Sequence, residues 1–85
     1  MTSTWRYREN LELVAAEIMK AREKFKPFVN AHEAYAVLLE EVEELWAEVK
    51  SKSDRAGRIR EEAMQIAAIG VCIMTEIGED NDAKS

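Results

Sequence analysis

The sequence predicts an all-α protein: a three-helix chain that forms an oligomeric helical bundle. Three observations carry that prediction. The 85 residues include only three Gly and one Pro, with 47% hydrophobic and 34% charged, a composition that suits helices and is too apolar for a disordered chain. Apolar residues recur at steps of three and four along successive stretches, which is the period of a helix rather than a strand. The last of those stretches is apolar around most of its circumference and must be covered on several sides. Two other helices of so short a chain can hardly do that, and a domain of this size buries about two-thirds of its unfolded surface or less. The expectation is a homo-oligomer, dimer or tetramer, with the third helix at its centre.

The chain reads as a single helical domain over residues 1–85. A first helix over about 4–25 is capped by Ser3 or Thr4 and carries Leu11, Val14, Ile18 and Phe25 as its apolar stripe. Lys26-Pro27 stops it, because Pro disfavours helix at the preceding residue and has no amide to donate. Asn30 with Glu33 has the form of a capping box and opens a second helix over about 31–50. Tyr35, Leu38, Val42, Leu45 and Val49 alternate steps of three and four along it, the pattern of a buried seam. Residues 51–57 form a polar loop with Ser53 or Asp54 as the next cap, and a third helix follows over about 55–77. Its stripe is Ile59, Ala63, Ile66, Gly70, Ile73 and Ile77, with Met64, Ala67, Ala68, Val71 and Met74 spreading apolar surface around it. The tail, 78–85, is expected to fray.

A net charge of −5 and a pI near 4.9 exclude a nucleic-acid backbone as the main partner, since that binding relies on clustered Lys and Arg. Bound cations fit better. A single cysteine, Cys72, cannot form an internal disulfide, and with one histidine it cannot build a common zinc site; a reducing cytoplasm is the natural setting. The N-terminus lacks the apolar core of a signal peptide, and the longest nearly apolar run, 63–74, is well short of the ~20 residues of a membrane span.

Charge is densest in Glu40-Glu41-Val42-Glu43-Glu44. From Glu40 to Glu48 there are five carboxylates and no basic residue. Glu40, Glu41, Glu43 and Glu44 have no cation three or four residues further on, so like charges repel by roughly a few tenths of a kcal/mol per pair. At about 100° per residue, Glu41 falls inside the apolar arc, between Val37 at about −40° and Leu45 at about +40°. Glu48, at about −20°, lies inside it too, Glu44 is on its edge at about −60°, and Glu40 and Glu43 are outside, with Glu43 the plainest solvated charge. On the third helix Glu62 is flanked by Ile69 and Ile73 at about −20° and +20°, with Gln65 and Glu76 on its edge at about −60° and −40°. A carboxylate buried without a partner is costly, so inward-facing acids predict a metal, another cation or a raised pKa. Ordinary solvation is the competing reading, with Arg58 four residues before Glu62 able to form a surface ion pair.

These residues resemble the all-α nucleoside triphosphate pyrophosphohydrolases of the MazG type. Their EExxE pattern is matched by Glu40-Glu41-Val42-Glu43-Glu44, and their later ExxD, imperfectly, by Glu62-Ala63-Met64-Gln65. The resemblance covers about 31–77, and AHEAYAVLLEEVEELWAEV is its most telling stretch. It implies an oligomeric bundle whose acids hold Mg²⁺ and which cleaves a nucleoside triphosphate to the monophosphate and pyrophosphate. By position it makes Glu41, Glu44 and Glu62 metal ligands and Glu40 a ligand or base, with Glu40 and Glu41 the catalytic pair. Oxygen ligands suit Mg²⁺. Gln65 stands where the family has Asp: it offers a neutral carbonyl oxygen as a ligand but removes one charge and cannot act as a base. A non-catalytic helical oligomer, keeping the scaffold with weak or no nucleotide binding, is the alternative.

The remaining candidates are substrate contacts. Trp46 or Tyr35 could stack on a base, although aromatics at such positions more often serve a core. Lys50, Lys52, Arg55, Arg58 and Arg60 cluster near the loop and could meet phosphates, with Lys50 and Arg58 the leading pair. His32, in the first turn of its helix, is expected to be exposed, and Cys72 to be an inert buried thiol.

Overall fold

The computed structural model describes residues 4–51 and 56–78. Three α-helices run in order: α1 over Thr4–Lys24, α2 over Ala31–Lys50 and α3 over Ala56–Ile73. A single π-helical turn, Met74–Gly78, continues α3. The cap expected at Ser3, the loop caps Ser53 and Asp54, the cations Lys52 and Arg55, and the tail from 79 onward lie outside the described residues. Thr4 is already inside α1.

The stop before Pro27 and the cap at Asn30 expected from sequence are both present. Phe25 N–H still bonds to the Ala21 carbonyl at 2.8 Å, and the chain leaves the helix before Pro27. Asn30, in extended conformation, accepts the Glu33 N–H on its side-chain oxygen at 2.9 Å. Glu33 returns the bond one residue further back than the usual box, accepting from Val29 N–H at 2.7 Å. Asn30→Ala is expected to cost about 1 kcal/mol of stability; an unchanged urea midpoint would show that the cap contributes nothing.

α3 is the middle element, and both α1 and α2 pack against it. Arg60 Nη2 on α3 donates to Asn10 Oδ1 on α1 at 2.7 Å. The other end of the chain is tied by Glu76, whose Oε1 accepts the Phe28 N–H at 2.9 Å while Oε2 lies 3.5 Å from Arg22 Nε. That ion pair is close but not aligned as a hydrogen bond, and Arg22 Nε has no hydrogen-bond acceptor. The π turn follows Ile73, and Glu76, expected on the edge of the Glu62 face, meets Arg22 of α1 and the α1–α2 connection. Cys72 is buried, as expected, and its thiol pKa is raised by burial first and by Glu76 second.

The single chain buries little. Val14, Ala34, Ala68 and Cys72 are its buried hydrophobic residues among those described, and no large side chain is fully enclosed. Of the α1 stripe, Val14 and Ile18 turn inward, whereas Leu11 and Phe25 are exposed. The expected α2 seam divides in the same way. Leu38 and Leu45 are half-buried, but Tyr35, Val42 and Val49 face outward. A helix can offer only one arc to its neighbour, and here that arc carries Ala34, Val37, Glu41 and Glu48. Tyr35, Leu39, Val42, Trp46 and Val49 then form an exposed apolar seam with heptad-like spacing. Among the described residues no helix is long and apolar enough to cross a membrane.

Candidate metal centre

Because α2 turns its Glu41 arc toward α3, and α3 carries Glu62 on its most apolar face, the two carboxylates meet across the α2–α3 interface. Glu44, one turn beyond Glu41, joins them from the exposed rim. One oxygen from each of Glu41, Glu44 and Glu62 lies within 4.8 Å of the other two. The pocket around them is lined by these acids with Arg58, Glu61 and Gln65.

The carboxylates of this group disfavour one another's charge. The Glu41 carboxyl is pushed up from 4.5 to about 7, first by burial and then by Glu62 and Glu44 beside it. Glu62 Oε1 is buried and accepts no hydrogen bond. Two agents relieve such a cluster: a proton held by Glu41 and shared with its neighbours, or a cation bound between the oxygens. The donor set is all oxygen, anionic and drawn from rigid helices, which fits a hard divalent ion better than a soft one. Glu41, Glu44 and Glu62 are the residues that could hold it, with the Gln65 carbonyl oxygen as a neutral fourth ligand.

The other residues singled out from sequence divide. Arg58 lines the pocket, but its ion pair is with Glu48 of α2, at 3.6 Å, rather than with Glu62 one turn away. The Glu48 carboxylate points inward as expected, and Arg58 reaches it from the neighbouring helix. Glu40 is exposed and does not line the acidic pocket, and Glu43 is exposed as expected. Trp46 is exposed on the outer seam with the Lys50 ammonium over its ring, 5.4 Å from the centroid, so this pair lies apart from the acids. His32 is exposed.

Two acids near the site were not singled out from sequence. Glu61 lines the pocket; its signal was its position four residues before Gln65, on the same helical face. Glu17, on α1, accepts a hydrogen bond from Gln65 Nε2 at 3.0 Å. Val14 and Ala21 lie about 60° and 40° to one side of it around α1 and the exposed Lys20 and Lys24 to the other, so the angular test puts Glu17 at the edge of the inward arc rather than inside it. A second cavity, of about 440 Å³, shares Glu41 and Gln65 with the first and is lined from all three helices and the α1–α2 connection, Phe28, Val37 and Ile69 among them. Lys20, Arg22, Lys24 and Lys26 border it.

No protein-family model, curated protein or solved structure matches the chain.

Proposed function

We propose that this chain is a Mg²⁺-dependent nucleoside triphosphate pyrophosphohydrolase of the MazG-like kind, active as a homo-oligomer. The observation that carries the reading is the convergence of Glu41, Glu44 and Glu62 from two helices, with a buried Glu62 oxygen that no donor reaches. These are the acids that the EExxE resemblance makes ligands.

Glu41, Glu44 and Glu62 hold the ion, and Gln65 adds a neutral oxygen. Bound Mg²⁺ supplies charge neutralisation for the carboxylates and the triphosphate together, and polarises a phosphoryl oxygen. Arg58, at the pocket wall, offers a guanidinium to the phosphates. Glu61, exposed like Glu40 but lining the pocket outside the ligand set, takes the proton of the attacking water, where the resemblance made Glu40 a ligand or base. The nucleoside occupies the adjoining cavity, where Phe28, Val37 and Ile69 offer an apolar wall. The assembly is supported by the unpartnered seam on α2, and a buried lone thiol suits a reducing cytoplasm.

Pyrophosphate release from common and damaged nucleoside triphosphates, with Mg²⁺ and with EDTA, tests the reading. Turnover to monophosphate is expected with Mg²⁺, with none in EDTA, and a fall of at least about a hundredfold in Glu62→Gln. Absence of metal-dependent turnover across the panel would leave the non-catalytic oligomer as the better account.

A further inference from the structure

We propose that Glu17, on α1, is a positioning residue for the acidic pocket: it holds the Gln65 amide by its nitrogen and so leaves the carbonyl oxygen for a cation. The proposal rests on the reading of that pocket as a divalent-cation site. Gln65 Nε2 donates to Glu17 Oε2 at 3.0 Å, and the contact is partly buried. A carboxylate can only accept, so the nitrogen end of the amide must face Glu17, whichever way round the two ends are drawn. The other end is then a carbonyl oxygen, a neutral ligand of the type that hard cations take. Gln65 lines the pocket with Glu41, Glu44 and Glu62.

The orientation matters because the amide has two opposite faces. Reversed, Gln65 would present its NH₂ to the acidic pocket and so oppose a cation there. Glu17 excludes that arrangement, since a reversed amide would set oxygen against carboxylate. Lys20 Nζ, 3.8 Å from the other Glu17 oxygen, neutralises the positioning group from its solvent side. A third helix thus contributes to a site whose acids come from α2 and α3, through one hydrogen bond and without touching the ion.

Titration of Mn²⁺ into the full chain, with the free-ion EPR signal as readout, tests this in a double-mutant cycle of Glu17→Gln and Gln65→Glu. Glu17→Gln is expected to weaken Mn²⁺ binding about tenfold, because an amide at 17 accepts Gln65 either way round. With Gln65→Glu there is no amide to orient, and Glu17→Gln is expected to leave affinity unchanged or to improve it by removing a like charge. An equal loss in both backgrounds would show that Glu17 acts only through its charge or packing, and would overturn the proposal. Wild-type affinity in Glu17→Gln, with binding lost in Glu62→Gln, would overturn the positioning role while the cation site stands. No Mn²⁺ binding by the unsubstituted chain would overturn both.

Discussion

Glu41→Gln is expected to move two properties in opposite directions: the metal-free chain becomes more stable at about pH 8, and divalent binding falls at least about a hundredfold. The sign follows from the raised pKa. In the folded chain Glu41 titrates at about 7 rather than 4.5, because burial and then Glu62 and Glu44 disfavour its charge. Between those values the folded state holds a proton that the unfolded chain has released. The associated stability is complete below about pH 4.5 and is lost as pH rises through about 7. An amide at this position stays neutral, relieves the repulsion with Glu62 and Glu44, and can donate to the bare Glu62 oxygen. The gain in melting temperature at about pH 8 is expected to be about 5 °C, equivalent to ~1 kcal/mol in a domain of this size. Saturating Mg²⁺ should recover the unsubstituted chain at that pH, because a ligand of the folded state stabilises it, and should leave the variant unmoved. Thermal melts across pH, with and without Mg²⁺, make the comparison. A variant that keeps full Mn²⁺ affinity would remove Glu41 from the ligand set, and an unchanged pH profile would show that another group is responsible.

Val42→Glu is expected to dissociate the proposed homo-oligomer and to lower stability sharply. The residue lies midway along the exposed seam Tyr35, Leu39, Val42, Trp46 and Val49, and its neighbours at one helical turn are Leu38, Leu39, Leu45 and Trp46, none of them a cation. Burying an unpaired carboxylate costs several kcal/mol. A two-fold interface carries that cost twice, so the dissociation constant should rise by well over about a hundredfold. Since no large side chain among the described residues is fully enclosed by the single chain, losing the proposed partner should also unfold much of the population. Sedimentation velocity and circular dichroism over a concentration series would show both effects. A chain that sediments as a stable monomer without the substitution would refute the assembly itself.

Much of the architecture is local and was therefore readable. Pro27 breaks the chain through its own covalent geometry, and Asn30 with Glu33 caps α2 through atoms three residues apart. Helical periodicity likewise separated Glu41, Glu48 and Glu62, all partly buried, from the exposed Glu43. The seam on α2 was harder to assign, because its apolar residues cover two adjacent arcs. Tyr35 and Val42 belong to the arc turned away from α3, while Leu38 and Leu45 belong to the other. Trp46 and Lys50, chosen as substrate contacts for their chemistry, fall on the outer side for the same reason.

By itself, then, the sequence determined three helices, the break between α1 and α2 and which carboxylates turn inward, since these follow from turn chemistry and a period of 3.6 residues. Only the tertiary structure decided which side chains meet. Arg58 reaches Glu48 on α2 instead of Glu62 on its own helix, Glu61 joins the pocket while Glu40 does not, and Glu17 reaches Gln65 across 48 positions of sequence. The physical reason is that a helix's period fixes direction around its own axis, whereas the height and crossing at which two helices pack depend on side chains from both.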